Sequence, residues 1–287
     1  MSFPERVFNE QFVIDTDSGP GDGSITARPR SAMTSRSVQS PYDPECSYRK
    51  KAGDQVKGYS VNVTETIGED QLNLLTDIQL KPAHWGDANF VEPAITNTRE
   101  ITNDEVETCY ADGAYNRSLE HEDKDQDKNK DNDKDELGGV EMVLSGIQGA
   151  PSRFDLHQTD DGLEVRDTQT GRVHQARPVR RRDQKAPPKW RIILDNGSYR
   201  YFGPREIRAS KQRRLLAEKG YRERARRRNN VEATIYHLSH RLKGAKTVYR
   251  GLVRNKIWAW GRALWVNMRR IQRYIDHSAS SEAQYTI

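Results

Sequence analysis

The sequence has few of the residues that staple small folds, and none of the runs that cross membranes. Only 2 cysteines occur in 287 residues, Cys46 and Cys109, far apart and with no Cys/His cluster beside either. Neither a disulfide framework nor a structural zinc site is encoded, and both are read as reduced thiols. No window approaches the roughly 18 apolar residues of a membrane span. The N-terminal MSFPERVFNEQF also lacks the basic and apolar regions of a signal peptide. A cytosolic chain with no membrane partner is therefore expected. Apolar residues are scarce too: 34% hydrophobic against 31% charged, with a mean hydropathy of −0.97. That suffices for one substantial core or two small ones, with part of the chain outside them.

What is present is charge, unevenly placed. The net +5 averages two opposite regions. Residues 177–273 hold 29 Lys and Arg against 6 Asp and Glu, a net +23, and the remainder holds 18 against 36, a net −18. So dense a basic region suits a polyanion, because each neutralised phosphate releases counterions. Nucleic acid is the expected partner, in place of a merely solvated basic face.

Organisation along the chain falls into five stretches. Residues 1–44, rich in Ser, Pro, Gly, Thr and Arg, read as a linker or partial N-terminal segment. Their SGPGDGS has no following helical pattern to make it a phosphate cradle. Residues 45–153 hold two alternating runs, VKGYSVNVTET and LNLLTDIQLK, that predict neighbouring strands. They also hold a short helix with Asp87 as its N-cap and the strand VETCYA, broken by Asp112-Gly113. Within this stretch, residues 120–136 carry nine acids and four lysines with no apolar residue, the composition of a flexible insert. Their aspartates lack the central Gly and closing Glu of a calcium loop. Residues 154–203 predict a β-rich insertion whose clearest part is WRIIL-DNGS-YRYF, turning at Asn196-Gly197. Residues 204–276 read as two long amphipathic helices, with stripes Val231, Ile235, Leu238, Leu242 and Ile257, Trp260, Leu264, Met268, Ile271, Ile275 facing a core. Residues 277–287 form a tail.

Two carboxylates stand out by their surroundings. Asp112 ends a strand and precedes a sharp turn, which puts it at the carboxyl edge of a sheet. Glu232 lies on a basic helix with Arg228, Tyr236, Ser239 and Lys243 on its own face. Taken singly, the first is an ordinary turn residue and the second an i, i+4 partner of arginine.

At these residues the sequence resembles the DDE transposases of bacterial insertion sequences. The resemblance is carried by SPYDPECSYRKK, GYSVNVTET, KPAHWGDANF, YADGAYN, NNVEATIYHLSHR and YRGLVRNKIWAWGRALWVNMRRI, in order over most of residues 40–275. It implies an α/β, RNase H-like mixed sheet flanked by helices, with a β-rich insertion and long C-terminal helices. By that match Asp112 is the second catalytic acid and Glu232 the third, and three acids would hold two Mg²⁺ (or Mn²⁺) ions for cleavage and transfer of DNA strands. The implied partner is double-stranded DNA at transposon ends, bound by a homodimer in the bacterial cytosol. Arg224, Arg226, Arg227, Arg228 and Lys243 would hold phosphates. Trp190, Tyr199, Tyr201 and Phe202 would either stack on unpaired bases or fill the hairpin core.

The sequence departs from the family in two places. Related branches carry Tyr, Arg, Glu and Lys around the third acid, spaced two, three and six residues apart. The positions here are Ala225, Arg228, Glu232 and Ser239, with Lys243 one turn later. The family also has its first acid on a strand before the GYSVNVTET hairpin, in a DST-like context that this sequence lacks. Asp43 is the first candidate for that role and Asp15 the second. Three readings follow: a transposase, a truncated and catalytically inactive DNA-binding remnant, and an unrelated RNA-binding or ribosome-associated protein.

Overall fold

A computed structural model describes residues 2–15, 24–51, 53–68, 72–115, 139–147, 151–159, 162–179, 187–240 and 242–284. The acidic insert at 120–136 and residues 18–23 of SGPGDGS lie outside them. The chain is mixed α/β and divides into two compact units, one made of Met1–Asn103 with Asn230–Ile287, the other of Asp104–Asn229. The divisions fall at other places than the expected boundaries near 45, 154 and 204. Among the described residues no helix is long and apolar enough to cross a membrane.

The first unit opens on structure where a linker was expected. Helix α1 (Phe3–Gln11) starts from a capping box, with Glu5 Oε2 accepting from the Ser2 amide at 2.7 Å. Strands β1 (Phe12–Asp15) and β2 (Ser24–Ala27) pair antiparallel behind it. The α1 side chains tie this region down: Glu10 Oε2 accepts from the Val38 amide at 2.6 Å, and Gln11 donates to the Val38 carbonyl at 2.8 Å. A polar, Pro- and Ser-rich composition is thus ordered by side-chain bonds to backbone, which hydrophobic periodicity cannot reveal.

The central sheet of this unit is β3 (Ser47–Lys51), β4 (Asp54–Glu65) and β5 (Leu75–Pro82), all antiparallel. Strand β4 changes partner along its length, pairing with β3 up to Gly58 and with β5 from Tyr59. Gly58 sits at the change with φ +136°, a conformation glycine adopts without steric cost. Helix α2 (Val91–Thr102) follows a short 3₁₀ turn and buries Val91, Ala94, Ile95 and Thr98. Asp87 is not its side-chain cap. Its carboxylate instead meets Arg49 of β3 at 2.7 Å, and an ion pair outcompetes a cap on a helix that already has a preceding turn.

Helices α5 (Asn229–Ser239) and α6 (Leu252–Gln284) complete the unit; α5 buries part of its expected stripe, and α6 turns a different face inward from the one expected. On α5 the buried residues are Thr234 and Leu238, while Ile235 is exposed. On α6 the buried residues are Asn255, Ala259, Ala263 and Val266, while Ile257, Trp260, Leu264, Met268, Ile271 and Ile275 are exposed. Small side chains let α6 lie close on β5, where Leu75, Leu238, Ala263 and Val266 form a core with Val63 and Ile78 against it. Asn267 fixes the approach. Its side-chain amide donates to the Leu75 carbonyl and its oxygen accepts from the Leu75 amide, both at 2.9 Å.

The second unit holds a parallel pair, β6 (Thr108–Ala111) and β7 (Glu141–Leu144), and a five-stranded antiparallel sheet. That sheet runs β8 (Phe154–Thr159), β9 (Gly162–Asp167), β10 (Val173–Pro178), β11 (Trp190–Ile193) and β12 (Tyr199–Phe202), each strand beside the next. The last hairpin turns through Gly197 at φ +77°. Its core is Phe154, Leu156, Leu163, Val165, Ala176, Ile192 and Phe202, with Ile207 of helix α3 (Pro204–Ala217) packed against it. Helix α4 (Lys219–Ala225) follows α3. Where the resemblance implies one mixed sheet, β4 and β5 share an antiparallel ladder and β6 and β7 a parallel one. Among the described residues no ladder joins the two. The two long helices expected over 204–276 are likewise four, because Glu218 is extended and Gly244 and Gly251 take positive φ.

Candidate acidic site and nucleic-acid interface

Asp112 follows the last residue of β6, at the carboxyl ends of the two parallel strands. Ligands of open α/β sheets characteristically bind at this edge. The turn after it is tight. A Cβ on Gly113 would lie 2.6 Å from the backbone of Gly146 and Ile147, so only glycine fits between the two strand ends. Asp112 Oδ1 accepts from the Ala114 amide at 2.7 Å, and Oδ2 faces Arg228 at 3.7 Å. Tyr221 and Gln212 hold the neighbouring strand end, the Tyr221 hydroxyl accepting from the Leu144 amide at 2.9 Å and Gln212 donating to the Leu144 carbonyl at 3.0 Å.

Three of the four expected phosphate-binding arginines are engaged with these same strands. Arg224 pairs with Glu141 at the start of β7, which raises the guanidinium's pKa through that hydrogen bond. Arg227 lies over the Tyr110 ring at 5.9 Å, and Arg228 faces Asp112. Arg226 and Arg227 are exposed on a 3₁₀ turn, Arg226–Arg228. A carboxylate is thus set within a row of cations on one rim, an arrangement suited to an oxyanion beside a bound cation. Burial pushes the thiol of Cys109, one strand position away from Tyr110, up to about 11.

Glu232 and Asp43 belong to the other unit. Glu232 is exposed on α5, two residues before the fully buried Thr234. Lys243 is not on its helix face. Helix α5 ends at Ser239, and Lys243 opens a separate 3₁₀ turn in which Gly244 has φ +60°, so the expected +11 position does not exist. Both oxygens of Asp43 hold protein donors: Oδ1 accepts from the Tyr59 hydroxyl, and Oδ2 accepts from the Gly251 amide at 3.2 Å. Glu45 accepts from the Leu252 amide at 2.8 Å, so both acids anchor the start of α6. The Tyr59 hydroxyl is held protonated, its pKa raised by burial and by Asp43. Of Asp15 only the backbone, in β1, is described.

A group that the sequence did not single out lies between β4, α5 and α6. The Glu65 side chain is 4% exposed, and its Oε2 accepts from the Thr234 hydroxyl and from Arg270 at 2.9 Å. Arg270 also donates to Thr234 and, at 2.8 Å, to the Asn73 carbonyl. No signal in the sequence marks it, because Val61 in the same nominal phase is exposed and the strand register shifts between Thr64 and Glu65.

As a test of fit for a hard divalent cation, Asp112 in the second unit and Glu232 in the first each carry oxygen donors of the right kind. Asp43 carries the same donor type, with each oxygen already accepting from one protein group. Among the described residues no three His, Cys, Asp or Glu side chains group so as to hold a metal ion. Comparison with protein families, with curated proteins and with solved structures finds no match to this chain.

Proposed function

We propose that the chain acts on DNA as the catalytic region of a DDE transposase, with Asp112 and Glu232 as two of its acids. The observation that carries this reading is the placing of Asp112 at the carboxyl edge of a parallel strand pair, facing Arg228 within an arginine row. The order antiparallel hairpin, helix, parallel strands, β-rich insertion and helices accords with an RNase H-like domain carrying an insertion. In this reading Arg226 and Arg227 bind backbone phosphates of duplex DNA. Arg228 offsets the Asp112 charge until substrate is in place. The Glu65–Arg270 pair fixes α5, and with it the backbone that presents Glu232. Magnesium, when bound by the acids, supplies charge neutralisation at the phosphate and an activated oxygen nucleophile.

A second reading is favoured by one observation, the commitment of Asp43 to Tyr59 and Gly251. Without a third acid the chain binds DNA and does not cut it. One experiment separates the two. Supercoiled plasmid is incubated with the chain and with its Asp112→Ala and Glu232→Ala variants, with and without Mg²⁺, and duplex binding is measured alongside. Nicking that requires Mg²⁺ and is lost in both variants supports the transposase reading. Duplex binding by all three proteins without nicking supports the DNA-binding reading. Absence of duplex binding overturns both.

A further inference from the structure

The five-stranded sheet of the second unit has two unlike faces. Strand alternation puts Trp190, Ile192 and Phe202 on the side of the core, where Ile192 and Phe202 are buried. The same alternation turns Arg191, Ile193, Tyr199 and Tyr201 outward. Of the four residues whose sequence allowed either stacking or core, Trp190 and Phe202 lie on the core side and Tyr199 and Tyr201 on the outward side.

The outward side of β10–β12 is both aromatic and basic. Arg177, Arg191 and Tyr201 stand in one row across the three strands, by the registers Arg177↔Arg191 and Arg191↔Tyr201. Ile193 and Tyr199 are opposite each other in the next row. Tyr199 is 53% exposed and Tyr201 46%, with ring centroids 6.4 Å apart, and the Arg191 guanidinium lies 5.0 Å over the Tyr199 ring. Among the described residues no carboxylate pairs with Arg177 or Arg191. The acids of this face, Asp155 and Glu164, lie on β8 and β9, and Asp155 is held by Ser210 and Arg214. The nearby Asp195 of the turn is held by Arg172.

We propose that this face binds single-stranded DNA, with Tyr199 and Tyr201 stacking on unpaired bases and Arg177 and Arg191 holding the intervening phosphates. Exposed rings on a sheet, with guanidiniums beside them that meet no carboxylate among the described residues, provide the two elements of single-strand recognition, a π surface tolerant of any base and a cationic track for the backbone. A duplex hides its base faces within the stack, so the rings have nothing to meet there. The proposal rests on the DNA reading above and assigns it a second contact, used where strands separate at a DNA end.

The test measures fluorescence anisotropy of the full chain with labelled 15-mer oligo(dT), 15-mer oligo(rU) and a duplex. Wild type is compared with Tyr199→Ala, Tyr201→Ala, the double variant and Tyr199→Phe/Tyr201→Phe. Each alanine is expected to weaken oligo(dT) binding about tenfold, while the double Phe variant binds like wild type and duplex affinity is unchanged. The rings are surface residues, and an unchanged circular dichroism spectrum shows the fold intact. Oligo(dT) binding that is absent, or undiminished in the double Ala variant, overturns the proposal even where the duplex binds normally. Tighter binding of oligo(rU) than of oligo(dT) overturns the choice of DNA. Loss of duplex binding in wild type is the separate failure of the reading beneath it.

Discussion

Arg270 of α6 reaches the buried Glu65 of β4 at 2.9 Å and the Thr234 hydroxyl of α5, so one guanidinium ties three elements together. Breaking a buried pair from one side strands a charge. Arg270→Met is expected to lower unfolding free energy by about 3–5 kcal/mol. The double variant Glu65→Leu/Arg270→Met should recover much of that loss, because no charge is then left alone. Urea denaturation of the three proteins checks both, and a double variant no better than the single would remove the pair from the account.

Asp43 is assigned here to architecture. Asp43→Ala removes the acceptor of both the Tyr59 hydroxyl and the Gly251 amide, and a loss of about 1–2 kcal/mol is expected. Asp43→Asn keeps an acceptor and should cost less, and it should leave any Mg²⁺-dependent nicking intact. Nicking abolished in a stably folded Asp43→Asn protein would return this residue to the catalytic set.

Gly113 admits no side chain. Alanine there would put its Cβ 2.6 Å from the Gly146 backbone, and the strand ends must move apart. Gly113→Ala is expected to destabilise by about 1–3 kcal/mol, in the range of overpacked sites. It should also abolish any nicking by displacing Asp112. Guanidinium titration and the plasmid assay are sufficient to check this.

The arginines of the row are not equivalent. Arg224 spends its charge on Glu141, whereas Arg226 and Arg227 are exposed. Alanine at 226 and 227 together should reduce the slope of log K against log salt for duplex binding by about 2, near 0.9 for each phosphate contact. A slope unchanged from wild type would take this turn out of the interface.

Acid should act on the second unit through Asp167. Its hydrogen bonds from Arg153, at 3.1 and 2.5 Å, hold its pKa well below the usual carboxylate range. A depressed folded-state pKa means the stabilisation is complete above the unfolded value near 3.9 and falls as pH drops below it. Melting temperature followed from pH 6 to pH 2 should decline more gently in Arg153→Met, which starts lower. Parallel curves would show that another group governs the acid limb.

Local pattern made some of this visible from the residues alone. The alternation in GYSVNVTET and LLTDIQL marks β4 and β5, Asn196-Gly197 marks the last hairpin, and the strand ending at Asp112-Gly113 marks the acidic edge. Other features depended on partners far along the chain. The α6 stripe of Ile257, Trp260, Leu264 and Met268 looked like a core face because periodicity gives a helix's apolar side and not what covers it. The side that packs holds alanines and Asn267, whose value appears only against Leu75. Asp43 looked like a free acid for the same reason, since the Gly251 amide that it accepts from is 208 residues away.

The bond between Leu75 and Asn267 spans 192 residues, and the whole of the second unit is synthesised between them. At about 5–20 residues per second, β5 therefore waits roughly 10–40 s on the ribosome for the helix that covers it. The intervening unit can reach its own contacts within that interval. The early sheet is consequently the segment most in need of a holding chaperone during synthesis.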